Sequence, residues 1–277
     1  MVKGEQRRKQ LARQKYERQL QRRTAAQRKA KRRNVIIASV LAVALAAGGA
    51  VYATAGLVGD DSKNTAAEQQ RPKDPCGTPA KGEPSRKQWE KEPKLTVDTS
   101  ASYTAKLATT CGDIAMKLDA KKAPHTVNSF NFLAGQGYFD HSKCHRLVDD
   151  GLHVLQCGDP TGTGQGTPGY TIPDENLKDP RLKGGVYPAG TVAMANRYDG
   201  QSEKTRDTGG SQFFLVFQDS ELPPNYTPFG TITQGMDVLK KIAKAGSTPD
   251  PQTRNTAPNA TVVIDRARVT KSSEPVS

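Results

Sequence analysis

Cysteine is scarce. The four residues Cys76, Cys111, Cys144 and Cys157 are too few to staple a chain of 277 residues, and none forms a C-x-x-C pair. Neither a zinc ribbon nor a thioredoxin-type centre is therefore indicated. No internal repeat runs along the chain. Acidic residues are almost missing from the first 33 positions, which hold two of the 28 Asp and Glu but 14 of the 41 Lys and Arg. The formal net charge of +13 thus belongs to one tail of net +12, and the remainder is close to neutral at +1. That tail also lacks aromatic residues apart from Tyr16, so it has no platforms on which bases could stack. No nucleic-acid partner is expected. Polar all round, the tail suits a topology determinant resting on anionic lipid headgroups.

Charge of either sign is absent from the 25 residues 35–59, VIIASVLAVALAAGGAVYATAGLVG. A helix needs about 20 apolar residues to cross the hydrocarbon core. Ala53-Thr54-Ala55 would suit a signal-peptide cleavage site, but the apolar run and its basic approach are both long for one, which favours an uncleaved anchor. Arg28, Lys29, Lys31, Arg32 and Arg33 precede the span, and Asp60 and Asp61 follow it. The positive-inside rule then puts the N-terminus in the cytoplasm and the rest outside. The expected location is a single-pass protein of the cell membrane, its main domain extracytoplasmic.

The organisation that follows is a basic tail over 1–34, a transmembrane signal anchor over 35–59 and an extended linker over 60–98. A folded domain occupies 99–272, and 273–277 form a short C-terminal tail. The linker is rich in Pro, Lys and Glu, as tethers are. Its Trp89, the only tryptophan, is expected to pack on the flank of the domain.

Within the domain Ile114, Met116 and Leu118 alternate with Ala115, Lys117 and Asp119, the period of a half-buried strand. Pro124 can open a helix that carries Val127, Phe130 and Leu133. Short segments CHRLV, HVLQCGD, GTVAMAN and SQFFLVF read as strands between Gly-rich turns. A second helix has Met236, Leu239 and Ile242 on one face, and TVVIDRARV is a last strand. Many short strands with two helices indicate a mainly β protein, a small antiparallel barrel capped at its ends.

Several segments, in order, resemble the cyclophilin family: HTVNSFNFL after Pro124, KCHRLV, LQCGDPTGTG, PDENL, GTVAMAN, TGGSQFFLVF and FGTITQGMDVL. The resemblance implies a closed antiparallel barrel of about eight strands capped by two helices. It also implies peptidyl-prolyl cis–trans isomerase activity on proline-containing polypeptides, here exported or envelope proteins. A non-catalytic proline-peptide binding module or scaffold at the membrane surface is the alternative.

The chemistry needs no nucleophile, metal or cofactor. Rotation about an X–Pro bond is slow because it destroys amide resonance, at a barrier of about 18–20 kcal/mol. An enzyme must hold the proline ring and stabilise the twisted amide better than the planar one. In the twisted state the prolyl nitrogen regains a lone pair, and a rigid guanidinium is suited to donate to it.

By the resemblance, Arg146 is that arginine and Gln156 the glutamine that orients it. Ala195 and Asn196 form the edge that meets the substrate backbone, and Gln212 and Phe214 line the groove with the Phe214 ring as its floor. Leu222 and Tyr226 complete the wall, Tyr226 standing where many members have histidine. The segment LVDDGLHVL is longer than usual, and counting back from Gln156 assigns His153 and Val154 to the pocket. The connection RYDGQSEKTRDTG is also long and polar.

His141, Cys144 and His145 are the nearest approach to a metal set, but strand alternation sends neighbours to opposite faces and no second cluster follows. Among the cysteines, Cys144 and Cys157 are plausible cross-strand partners, Cys111 could lie near either, and Cys76 is the one expected to stay free. Four cysteines allow three full pairings.

Overall fold

The computed structural model describes residues 74–198, 202–250 and 256–275. The expected basic tail and membrane anchor lie outside the described residues. Among the described residues no helix is long and apolar enough to cross a membrane.

Two strands set the pattern. Strand β1 (Ala101–Thr109) buries Ala101, Tyr103, Ala105 and Leu107, and β2 (Gly112–Leu118) buries Ile114, Met116 and Leu118. Successive side chains point to opposite faces, so alternate residues supply one continuous apolar surface. Thr109 pairs with Gly112, leaving Thr110 and Cys111 as a two-residue turn.

The remaining strands are β3 (Ser142–Lys143), β4 (Arg146–Asp149), β5 (His153–Cys157), β6 (Val186–Tyr187), β7 (Thr191–Met194) and β8 (Phe213–Val216). They continue with β9 (Ser220–Glu221), β10 (Pro228–Gln234), β11 (Ser247–Pro249), β12 (Thr256–Pro258) and β13 (Val263–Pro275). Nine form one antiparallel sheet in the order β3-β13-β1-β2-β10-β7-β8-β5-β4, while β6–β9 and β11–β12 are separate pairs.

The two edge strands of that sheet, β3 and β4, are consecutive in the chain and separated only by Cys144 and His145. At 3.8 Å per Cα step the sheet's two ends are tied within about 11 Å, so it must curl. It does not close. The expected closed barrel of about eight strands is instead an open, curled half-barrel, because no ladder joins β3 to β4. The edges are occupied otherwise. Cys144 N–H donates to Val262 O (2.9 Å), and Leu147 O, in β4, accepts from Thr256 Oγ1 in β12 (2.5 Å).

Helix α1 (Pro124–Gly135) begins with the proline, whose missing N–H costs nothing in the first turn. Its N-cap residue, Ala123, has no side chain to cap with. The distant Glu175 does this instead, accepting from His125 N (3.0 Å), Thr126 N (2.9 Å) and Thr126 Oγ1 (2.8 Å). A carboxylate at a helix N-terminus also meets the positive end of the dipole. Val127, Phe130 and Leu133 face inward, and Phe130 stacks on Phe139 (4.9 Å) and meets Phe213 edge-on (5.3 Å). Helix α2 (Met236–Lys244) follows Gly235, whose positive φ of 92° suits glycine, and buries Leu239 and Ile242 while leaving Met236 partly buried.

Residues 74–98 contain neither helix nor strand, yet they are fastened along their length. Cys76 is disulfide-bonded to Cys111, which corrects the expectation of a free Cys76. Trp89 packs edge-on to Phe132 (5.1 Å) and near Tyr138 (5.8 Å), and its backbone N–H donates to Pro168 O (2.8 Å). Asn128 Oδ1 accepts from the N–H groups of Thr96 (2.9 Å) and Val97 (3.2 Å). The segment is a strap, held by groups far away in sequence.

Candidate active site

Alternation along four neighbouring strands separates two apolar surfaces. Leu147, Leu155, Cys157, Val192, Met194, Phe213 and Leu215 enter the main core inside the curl. The residues between them, Val154, Ala193, Phe214 and Val216, form a second cluster on the outer face with Leu182 and Tyr187. That outer cluster floors a groove of about 300 Å³ lined by Arg146, Leu152, Val154, Gln156, Ala195, Asn196, Phe214, Leu222 and Tyr226.

The register fixes the order of the groups. Arg146 pairs with Gln156, Gln156 with Phe214, and Phe214 with Ala193. One row across β4, β5, β8 and β7 therefore presents a guanidinium, an amide, an aromatic ring and a small residue in succession. Neighbouring strands lie about 4.8 Å apart, so the row extends about 14 Å.

The polar members of the row are chained to each other and to Gln212, which lies outside the row. Gln212 Nε2 donates to the carbonyls of Gly164 (3.0 Å) and Gly166 (3.0 Å). Gln212 Oε1 accepts from Gln156 Nε2 (2.9 Å), and Gln156 Oε1 accepts from Arg146 Nη1 (3.3 Å). With two carbonyls at one end and a guanidinium at the other, a single orientation of both amides satisfies every group.

Behind the chain stands the fully buried Asp159. Its Oδ1 accepts from Thr161 N (2.7 Å) and Thr161 Oγ1 (2.8 Å), and its Oδ2 from Gly164 N (2.7 Å) and Gly166 N (3.0 Å). Burial alone would raise its pKa, but these donors prevail and hold the carboxyl below its usual range. A Cβ on Gly166 would collide with Asp159 Oδ1, so the loop wraps this closely only around glycine.

Burial holds the Arg146 guanidinium below its ordinary value, and nearby Tyr226 offsets this only in part. An arginine stays charged under such pressure. His145 is buried, which lowers its pKa, and neither ring nitrogen has a hydrogen-bond partner among the described residues. Tyr226 meets Phe214 edge-on (5.5 Å), and its backbone is pinned by Tyr187, whose hydroxyl donates to Tyr226 O (2.8 Å) and accepts from Tyr226 N (3.1 Å).

Of the residues singled out from sequence, Arg146, Gln156, Val154, Ala195, Asn196, Phe214, Leu222 and Tyr226 all line the groove. Gln212 lines an adjoining space of about 110 Å³. The Asn196 side chain is engaged structurally, its Nδ2 donating to Asn225 O (2.7 Å) and Asp174 Oδ1 (3.1 Å). His153 does not join them. Its ring lies against Phe217 (5.7 Å) with Nε2 at 3.2 Å from Gln218 Nε2. Adjacent residues of a strand cannot share a face, so Val154 and Gln156 in the groove exclude His153 and admit Leu152. The same alternation, counted from Gln156, would have found Leu152. Sequence reasoning also missed Asp159, although its partners Thr161, Gly164 and Gly166 lie in its own loop, and Tyr187, whose partner Tyr226 is distant in sequence.

A curled antiparallel sheet bearing an arginine beside an apolar groove on its outer face defines the class. The family model for cyclophilin type peptidyl-prolyl cis-trans isomerase/CLD matches residues 104–269, and the chain belongs to that family. It is 49% identical over 155 residues to the "Probable peptidyl-prolyl cis-trans isomerase B" of Mycobacterium leprae, covering 53% of this chain and 50% of that protein. The protein of the same description from Mycobacterium tuberculosis (strain ATCC 25618 / H37Rv) is 46% identical over 155 residues, at 53% and 48% coverage. A Helicobacter pylori "Peptidyl-prolyl cis-trans isomerase" is 39% identical over 141 residues, covering 50% of this chain and 78% of that protein. The chain spans about half the length of the mycobacterial relatives it matches.

Proposed function

We propose that this protein catalyses cis–trans isomerisation of X–Pro bonds in polypeptides, with no covalent intermediate. The observation that carries the reading is the row Arg146–Gln156–Phe214–Ala193, in which a tethered guanidinium stands beside an apolar floor. The proline ring rests on Phe214 between Leu152, Val154, Leu222 and Tyr226. The peptide backbone meets the edge at Ala195 and Asn196. As the amide twists, Arg146 donates to the prolyl nitrogen, whose lone pair is available only in that state. Such a contact is made in the transition state and not in either ground state, which is what lowers a barrier. Gln156 and Gln212 prevent the guanidinium from reorienting and so remove a reorganisation cost.

Arg146→Ala tests this in a protease-coupled prolyl isomerisation assay on the full-length chain. Loss of one preorganised donor is expected to lower kcat/KM by about two to three orders of magnitude with the fold intact. Near-normal activity in the variant would remove Arg146 from the mechanism, whereas no acceleration by the parent chain would favour a passive proline-binding module.

The location follows from residues 1–59. A basic stretch ahead of a 25-residue uncharged run supports a placement of the domain outside a cell membrane, with exported or envelope proteins as its substrates. Two disulfides, Cys76–Cys111 and Cys144–Cys157, support an oxidising compartment. Protection of the domain from external protease in intact cells would overturn this placement.

A further inference from the structure

The groove does not end at Asn196. Gln156, Ala195 and Asn196 also line the adjoining space, which continues between the loop carrying Gly164 and Gly166 and the segment carrying Arg197, Thr208 and Gly210. The two spaces form one trough. Its lining holds two formal charges, Arg146 in the groove and Arg197 in the extension, and no carboxylate.

The two arginines differ in how they are held. Arg146 is tied to Gln156. The Arg197 N–H donates to Thr208 Oγ1 (2.9 Å), but its exposed guanidinium has neither hydrogen bond nor ion pair among the described residues. Among the described residues, the carboxylates nearby in the fold have other partners. Asp159 is enclosed by its own loop, and Asp174 faces Asn196 Nδ2 (3.1 Å) and Arg206 Nη1 (3.7 Å). Asp207 Oδ1 accepts from Asp174 N (2.7 Å), and Glu203 lies at 3.5 Å from Arg206 Nε. Among the described residues Arg197 is thus a cation without a counter-ion, on the wall of a trough that the proposed substrate must occupy.

We infer that Arg197 gives this trough a charge preference, so that X–Pro segments with an acidic side chain within about three residues of the proline are favoured over basic ones. This rests on the isomerase reading of the groove. An extended peptide advances about 3.3 Å per residue, so a side chain two or three positions from a proline seated on Phe214 reaches the extension. An exposed ion pair there is worth a factor of about two to five, and repulsion of a lysine adds to the contrast.

The test uses the full-length chain and peptides of one length that carry a single Glu, Gln or Lys at each of three positions on either side of the proline. At one position the Glu peptide should exceed the Lys peptide in kcat/KM by about five-fold, and the ratio should shrink with added salt. Arg197→Glu should invert the ratio at that position, while Arg197→Lys should retain its sign. A Glu-to-Lys ratio near one at every position, or one unchanged in Arg197→Glu, overturns the inference while leaving the isomerase reading intact. Failure to accelerate even the Gln peptides overturns both.

Discussion

Replacing Asp159 by asparagine should damage both stability and activity, although the residue is not among the groups that line the groove. The carboxylate is fully buried and accepts four close hydrogen bonds, two on each oxygen. Asparagine keeps the shape but turns one oxygen into a donor. If that is Oδ1, it faces Thr161 N; if Oδ2, it faces both Gly164 N and Gly166 N. At least one backbone donor is left unsatisfied, and the surviving bonds lose their charge assistance. Hydrogen bonds to a charged group contribute about 1.5–3 kcal/mol each, which gives a loss of about 2–4 kcal/mol after the loop relaxes. Once the loop shifts, the carbonyls of Gly164 and Gly166 no longer hold Gln212, and the chain through Gln156 to Arg146 slackens. Misplacement of a catalytic group by about 1 Å can cost up to 100-fold, so kcat/KM should fall by about ten-fold or more in molecules that remain folded. Urea unfolding at neutral pH measures the first effect, and the isomerisation assay well below Tm measures the second. The pH dependence supplies a further check. The folded-state pKa of Asp159 is depressed, so its stabilisation is present above the unfolded value of about 3.9 and is lost as pH falls from there through the folded pKa. That part of the acid destabilisation should be missing in Asp159→Asn. An asparagine variant with the wild-type urea midpoint and full kcat/KM would show that the loop holds itself without the carboxylate.

Two predictions concern the covalent and non-covalent staples. Replacing Cys144 and Cys157 together by serine removes a link with a sequence separation of 13, and should cost about 3 kcal/mol in the chain-entropy model, read as a lower urea midpoint. Because these cysteines adjoin His145–Arg146 and Gln156, activity should fall at temperatures where the oxidised protein is fully active; an unchanged midpoint and rate would dismiss the link as incidental. Deleting residues 74–94 removes the Cys76–Cys111 bond, with its separation of 35, and the packing of Trp89 on Phe132. The bond alone is worth about 4 kcal/mol in the same model, so Tm should fall by several degrees or more. A truncated chain with the parent Tm would mean that the strap is only a tether.

Local pattern determined much of this protein. The period of two in β2 and β8 specified which residues enter the core and which stand on the outer face, because a strand has only two sides. Pro124 specified where α1 begins, since proline is compatible with the first turn and not with the interior. The identities and order of the segments around Arg146, Gln156 and Phe214 were legible for the same reason: each lies in a short stretch whose residues act together.

What the sequence left open was everything that depends on partners far apart along the chain. Cys76 in a Pro-rich stretch gave no sign that it would meet Cys111, nor Glu175 that it would cap a helix about 50 residues earlier. The closed barrel failed because β4 turns its free edge to Thr256 rather than to β3, a choice among hydrogen-bond partners that no local window contains. His153 stands away from the groove for a different reason: neighbours on a strand face apart, and Val154 and Gln156 take the groove side. The row that aligns guanidinium, amide and ring exists only through the registers of β4, β5, β8 and β7, and register is set when the apolar sets of all four strands are buried at once.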